Sequence, residues 1–323
     1  MELSVIIVNW NSAAYVRQCL ASLLAHCTLE DTEIIVVDGG SFDGCDRMLA
    51  TEFPRVRFVQ STDNVGFARA NNFGVEQARG RVLLFLNPDT LLLEDSLAIF
   101  RRRLRQLPRA AAVGGRLLNG DRTLQTSCIQ SFPTLLNQVL DAQWLRDRFP
   151  RSRLWGTAAL TSGSSHPAEV EALSGACLAV THEAFDQVGG FTTSYFMYGE
   201  DIDLCWKLRR AGGQVYYLPE TSVVHFGGGS SQHTPSDRSV LLMRAAVQHF
   251  LQLHRGGATA AAYRLAMGTV AVVRLLLLAF APRDGAARKW SVILRWSLGR
   301  SVPPVPAPAL RGGLAATPSP EGI

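Results

Sequence analysis

The first ninety residues alternate uninterrupted apolar runs with amphipathic stretches, and the apolar runs end on polar side chains. A strand is predicted over 4–8, running into Asn9, with a helix over 14–26. A second strand over 33–37 ends at Asp38, and the Gly-flanked turn 39–44 leads into a helix that reaches Glu52. A short strand over 56–59 comes next. A helix over 67–78 is stopped by Gly80, and a strand over 81–86 is closed by Pro88. Apolar strands that do not alternate are buried on both faces. That is the pattern of an α/β fold class, a mostly parallel central sheet with helices on both faces. Ligands on such sheets bind beyond the carboxyl ends of the strands. Asn9, Asn11, Asp38, Asp43, Asn87 and Asp89 all fall there, so the strand ends converge on one crevice.

A second acidic element lies in Tyr198-Gly-Glu-Asp-Ile-Asp-Leu204. Glu200, Asp201 and Asp203 open an amphipathic helix whose Leu204 and Leu208 share a face. Terminal N–H groups and the helix dipole hold a carboxylate at such a start and keep it ionised, as a general base requires. Downstream, His225 ends another apolar run. A base, a strand-end carboxylate and a strand-end imidazole together suggest metal-assisted group transfer. Each residue has a plainer reading that stays open at this point. Asp201 could cap its helix while Glu200 or Asp203 acts, Asp89 could be a turn residue, Asp38 a helix cap, and His225 an ordinary strand-end histidine. Asp43 reads as structural, and Trp10 either stacks near a nucleotide base or, the plainer reading, packs in the core. Asn71 and Asn72 lie on a helix and either reach a nucleotide or pack.

The middle of the chain is less regular. Residues 151–167 read as a polar, mobile loop over the site, 172–180 as one buried strand, and 183–188 as a short helix stopped by Gly189 and Gly190. Residues 214–218 and 222–225 read as a final strand pair, followed by a glycine-rich loop over 227–231 able to wrap a ligand. A helix over 238–253 precedes an apolar stretch over 263–281 that Arg264 and Arg274 interrupt. An Arg at the bilayer centre costs about 2.5 kcal/mol or more. That favours a helix lying in the membrane interface with its Arg side chains snorkelling. Arg288, Lys289, Trp290, Arg295, Trp296 and Arg300 continue the theme. A helical hairpin packed on the catalytic domain or on a second subunit fits the same periodicity. The expected units are a catalytic domain over 1–231, a helical, membrane-associating region over 232–300, and a disordered tail over 301–323.

Net charge is +5 but uneven, since the chain past Asp203 is rich in Arg and poor in acidic residues. This suits an anionic partner surface, a membrane or phosphate-bearing substrates, and no nucleic-acid-binding motif accompanies it. The six cysteines are scattered, with no CxxC pair, as in a reducing compartment. The N-terminus enters a strand without a charged leader region or cleavage site, so a cytoplasmic catalytic domain is expected.

The motifs fall in a recognisable order: Ser4-Val-Ile-Ile-Val-Asn-Trp-Asn11, Ile35-Val-Val-Asp-Gly-Gly-Ser-Phe-Asp-Gly44, Asn64-Val-Gly-Phe-Ala-Arg-Ala-Asn-Asn-Phe-Gly74, Leu86-Asn-Pro-Asp89, Val188-Gly-Gly-Phe191, Phe196-Met-Tyr-Gly-Glu-Asp-Ile-Asp-Leu204 and Val224-His225. Over roughly residues 3–231 the chain resembles the inverting family 2 glycosyltransferases, in particular the rhamnosyltransferase-like branch of cell-surface polysaccharide synthesis. The resemblance implies a GT-A fold, a sugar-nucleotide donor (dTDP- or UDP-linked), a glycan or lipid-linked acceptor, and Mg²⁺ or Mn²⁺. It matches Asp89 to the metal position, His225 to a metal ligand of some members, and Asp201 to the catalytic base with Glu200 beside it. Asp38 matches the nucleotide-recognition element, with Gly39 where an Asp or Asn often follows. Asn9, Asn11, Gly66, Asn71 and Asn87 are the further candidates for that site. The implied location is peripheral, on the inner face of the cell membrane. Rival functions fare worse. A non-catalytic relative would not need the intact set Asp89, Asp201 and His225. A sugar-phosphate nucleotidyltransferase would want a Gly-rich basic loop after the first strand, and a dinucleotide oxidoreductase a GxGxxG there.

Overall fold

The computed structural model describes residues 1–61, 63–161, 165–227, 237–280 and 285–299. The chain opens with β1 (Leu3–Asn9), α1 (Ala13–His26), β2 (Thr32–Asp38), α2 (Cys45–Glu52), β3 (Arg57–Gln60), α3 (Phe67–Glu76) and β4 (Val82–Leu86). It continues through β5 (Thr90–Leu92), α4 (Ser96–Gln106), β6 (Ala110–Leu118), a 3₁₀ turn (Thr126–Cys128), β7 (Ile129–Gln130), α5 (Leu135–Val139), α6 (Gln143–Arg148) and α7 (Ala158–Thr161). Then come β8 (Ala168–Glu169), β9 (Ala172–Leu173), β10 (Cys177–Thr181), α8 (His182–Gln187), α9 (Glu200–Arg210) and β11 (Gln214–His225). Helices α10 (Asp237–Arg255), α11 (Gly257–Phe280) and α12 (Ala286–Ser297) close the described chain.

The nine-stranded sheet runs β3-β2-β1-β4-β10-β6-β11-β5, with β8 pairing β11. The parallel run expected from the sequence holds through β3-β2-β1-β4 and again between β6 and β11, while β10, β5 and β8 pair antiparallel. Strands β1 and β4 are apolar and buried because helices cover both faces. Their register sets Asn9 opposite Asp38 and Ile7 opposite Leu86, which brings three strand ends to one edge.

Two strand expectations are corrected. The stretch 172–180 is not one strand. Ser174, Gly175 and Ala176 interrupt it, and β9 joins β7 in a separate two-stranded sheet. The final strand pair is a single strand, β11, with irregular register between Leu218 and Ser222. The stretch 151–167 is not a bare loop over its described part: Trp155 is buried, and its indole N–H donates to the Phe149 carbonyl (2.9 Å). The glycine-rich loop beyond Gly227, the expected domain boundary at 231/232 and the tail over 301–323 lie outside the described residues.

Helix α10 packs on α9. Phe250 and His254 meet Trp206 at ring-centroid distances of 5.6 and 5.2 Å, and the Arg255 guanidinium sits 5.0 Å over the same indole. Behind α10, Val240, Leu241, Leu251, Tyr263, Met267, Ile293 and Trp296 form a second apolar core shared with α11 and α12. Arg264 does not snorkel. Its guanidinium donates to the carbonyls of Trp296 (2.7 Å) and Ser297 (3.3 Å), where it satisfies the C-terminal turn of α12. One face of α11 is therefore packed. The other stays apolar and open, with Leu265, Leu276, Leu277 and Phe280 exposed.

Candidate active site

The first wall of the crevice is built where β1 and β2 end. Asn9 is fully buried, and its Nδ2 donates to Asp38 Oδ1 and Ser41 Oγ, both at 3.3 Å. Asp38 also receives the Ser41 N–H and is 2% exposed. It does not cap α2, whose N-cap is Gly44. Asn11 adopts a left-handed φ of 52° and accepts the Phe42 N–H on its Oδ1. Asp43 is structural, as its setting suggested: it accepts the Ala13 N–H at 2.7 Å and so satisfies the start of α1 from another loop. Trp10 is not core. It is 41% exposed, with its indole above Gly39. Asp38, Ser41, Phe42, Asp43 and Gln60 line a cleft of about 500 Å³, and Phe42 stands at its rim 76% exposed.

The second wall joins β4 to the end of β11. His225 Nε2 lies 3.4 Å from Asp89 Oδ1 and 3.3 Å from Asn87 Nδ2. On its other side, Nδ1 is 2.7 Å from Gln125 Oε1. Gln125 donates its own amide to Asn119 and to the His225 carbonyl, which fixes Oε1 as the atom facing the ring. Nδ1 therefore donates to Gln125 Oε1, and Nε2 faces the Asp89 carboxylate. A histidine held this way by an outer partner is arranged as a metal ligand. A hard cation between Nε2 and the carboxylate fits this donor set. Among the described residues no third His, Cys, Asp or Glu joins the pair.

The third wall is the start of α9. Tyr198 and Gly199 both take left-handed backbones, φ 71° and 81°, and this double turn launches the helix. Asp201 is half-buried. Its Oδ2 accepts the Gly175 N–H (2.9 Å) and the Gln130 amide (3.0 Å), and its Oδ1 accepts the Ile202 N–H (2.8 Å). Burial pushes its pKa up against those donors, so the helix start alone does not set its ionisation. Glu200 is 6% exposed, and its Oε2 has no hydrogen-bond partner among the described residues. Burial first, then the neighbouring Asp201, push it up to about 8. Asp203 is fully buried and committed elsewhere, to Thr192 Oγ1 (2.5 Å) and to His254 Nε2 of α10 (2.7 Å).

The interruption between β9 and β10 ties the second and third walls together. Gly175 donates to Asp201, and the next carbonyl, Ala176, accepts the Asn87 N–H at 2.9 Å. A side chain at 175 would press on Asp201, with 3.3 Å between the two Cβ positions. Sequence reading missed Gln125, Gln130 and Gly175, since none carries a local pattern. Three other candidates prove to be packing residues. Gly66 lies against the Phe196 carbonyl, where any side chain would collide. Asn71 is 1% exposed and donates to the Phe67 carbonyl within α3. Asn72 clamps both backbone polar groups of Phe191. A further cleft of about 500 Å³, lined by Glu2, Arg79, Arg81, Arg105 and His182, opens at the amino ends of the strands, away from all of these residues.

Strand-end carboxylate and imidazole, a nucleoside-sized cleft and a helix-start carboxylate on one sheet edge define a group-transfer enzyme of the GT-A fold. The profile described as glycosyl transferase family 2 matches residues 4–162, and that described as N-terminal domain of galactosyltransferase matches residues 160–227. The N-acetylglucosaminyl-diphospho-decaprenol L-rhamnosyltransferase of Mycobacterium tuberculosis is 30% identical over 247 residues, covering 72% of this chain and 79% of that one. Rhamnosyltransferase WbbL of Escherichia coli K12 is 24% identical over 231 residues, covering 69% and 82%. The chain belongs to glycosyltransferase family 2, on its rhamnosyltransferase-like branch. Solved structures agree on the fold. The mannosyltransferase PcManGT of Pyrobaculum calidifontis, in complex with GDP-Man and Mn²⁺, superposes with a TM-score of 0.55 at 19% identity, over 92% of this chain and 85% of that one. GalNAc-T7 with UDP, GalNAc and Mn²⁺ does so at 0.54 and 16%, over 75% of this chain and 47% of that one.

Proposed function

We infer that this glycosyltransferase moves rhamnose, with inversion, from dTDP-rhamnose to a hydroxyl of a lipid-linked glycan during cell-surface polysaccharide synthesis. The observation that carries the reading is the placement of Asp201, which adjacent residues 175 and 176 connect to the Asn87–Asp89–His225 cluster. Asp201 takes the proton of the acceptor hydroxyl as its oxygen attacks the anomeric carbon. The bond from that carbon to the diphosphate breaks on the opposite face, and one displacement inverts the centre. Asp89 and His225 would hold a Mg²⁺ or Mn²⁺ ion, which when bound neutralises charge on the departing diphosphate. The cleft at Asp38 and Gln60, with Phe42 at its rim, suits the nucleoside. The two rhamnosyltransferase relatives support the sugar, and the mycobacterial one supports a polyprenyl-diphosphate acceptor.

The catalytic unit, described here to Gly227, is read as working from the cytoplasmic side, with α10–α12 as its membrane-facing unit. The open apolar face of α11 and the scarcity of acid past Asp237, where only Asp284 and Glu321 remain, support that placement. A transfer assay with N-acetylglucosaminyl-diphospho-polyprenol, offering dTDP-rhamnose and UDP-hexoses in turn, tests the reaction. Asp201→Asn should keep donor affinity and lose about 10²- to 10⁴-fold in turnover, the range for removing a general base. Near-wild-type transfer by this variant would overturn the assignment.

A further inference from the structure

Three carboxyls share the first turn of α9; Asp203 is committed to Thr192 and His254, and the remaining two, Glu200 and Asp201, differ in their surroundings. Asp201 accepts three hydrogen bonds: Gly175 N–H and the Gln130 amide on Oδ2, Ile202 N–H on Oδ1, whereas the backbone N–H groups of Tyr198 and of Glu200 itself serve the Glu200 carboxyl. Glu200 is buried beside it with Oε2 unpartnered among the described residues. Two buried neighbouring carboxyls resist ionising together, and the charge goes to whichever is better provided with donors. Two of the three donors are backbone groups fixed by the fold. The third comes from a side chain on β7, 71 positions away in sequence. Gln130 has a setting that aims it: β7 pairs with β9, immediately before the Ser174–Ala176 interruption, and Phe132, two residues on, packs edge-on against Trp206 of α9 at 4.8 Å.

We propose that Gln130 is a positioning residue for the catalytic base: its amide holds Oδ2 of Asp201 and thereby selects which of Glu200 and Asp201 receives the acceptor's proton. This rests on the reading of Asp201 as the base. Other titratable groups facing the pair are Asp203 on the same helix, Tyr195 and Tyr198 from the preceding loop and Cys205 one turn on, and His254 of α10 faces Asp203. None of them donates a hydrogen bond to Asp201 within the described residues. A neutral amide that donates to the charged form lowers the base's pKa, so its removal moves the acid limb of the rate profile upwards. Burial and the adjacent Asp201 push Glu200 up to about 8, so Glu200 is the member of the pair that holds its proton and Asp201 the member left to ionise.

The test follows release of dTDP from dTDP-rhamnose with Mn²⁺, with water as acceptor, between pH 4 and 9 for the full-length wild type, Gln130→Leu and Gln130→Glu. The acid limb of Gln130→Leu should move up by about one pH unit, the size of one lost hydrogen bond to a charged group, with the plateau rate kept. Gln130→Glu preserves shape and should move it further, because a carboxyl then faces a carboxyl; this variant also carries the test if Gln130→Leu folds poorly. A fall in rate at all pH values with an unmoved limb in both variants would overturn the proposal and leave Gln130 a packing residue. Asp201→Asn, run in parallel, separates the two claims. If it loses dTDP release while the Gln130 limbs stay put, only the role of Gln130 fails. If it keeps the wild-type limb, the base assignment fails first.

Discussion

Glu200 and Asp201 are adjacent, equally acidic in composition, and unequal in the folded protein. Glu200 is driven up to about 8 by burial and by Asp201 beside it. Its ordinary value is near 4.3, so between about pH 4.5 and 8 the native state holds a proton that the unfolded chain releases. Stability from this group is therefore fully present at the acid end and is lost as pH rises towards 8. Glu200→Gln should flatten that slope: its melting temperature should exceed that of the wild type at pH 8, and the gap should close at pH 5. A gap of constant size across that range would contradict the assignment. The strand-end and helix-start positions of Asp89, Asp201 and His225 were legible in the sequence because each follows an apolar run or opens a helix. Gln125 and Gln130 were not, because their contacts join positions 100 and 71 apart and no local spacing encodes them. Asn71 and Gly66 sit inside a recognisable motif, yet the structure gives both to packing.

At the scale of elements, the alternation of β1, α1, β2, α2, β3, α3 and β4 was readable almost to the residue, since apolar strand runs alternate with amphipathic helical stretches and are bounded by Gly, Pro or a polar end. The break in 172–180 was not readable. Leu173, Cys177 and Leu178 are all buried, so burial alone gives no sign that the backbone turns aside at Gly175 to reach Asp201. Nor was the duty of α11 readable from its period. Ala260, Tyr263, Met267 and Ala271 face the helical core, while Val272, Val273, Leu276, Leu277 and Phe280 face outwards. Leu276 and Leu277 are 61% and 59% exposed, and charging them leaves the core untouched. Leu276→Glu combined with Leu277→Glu should weaken co-sedimentation with phosphatidylglycerol–phosphatidylethanolamine vesicles by at least about tenfold, given roughly 1.5 kcal/mol or more per buried leucine. Unchanged sedimentation of a normally melting double variant would show that this face does not meet lipid.

Across the whole molecule, one sheet edge gathers the nucleoside cleft, the Asp89–His225 pair and Asp201, and the C-terminal helices back the third of these. Asp203 and His254 join α9 to α10 through a fully buried carboxylate, while Trp206, Phe250 and Arg255 seal the same seam. Helix α9 is thus held between the sheet and a unit whose outer face is apolar. Such an arrangement suits an acceptor presented from a lipid surface. The central claim is that Asp89 and His225 receive a cation that joins them to a nucleoside diphosphate. Calorimetric titration of wild type and Asp89→Ala with dTDP and with UDP, each with and without Mn²⁺, tests it most directly. The account predicts that the wild type binds one nucleotide tightly only with Mn²⁺, and that Asp89→Ala loses the Mn²⁺-dependent part. Wild-type binding of equal strength with and without Mn²⁺, or an unaltered Mn²⁺ dependence in Asp89→Ala, would contradict it.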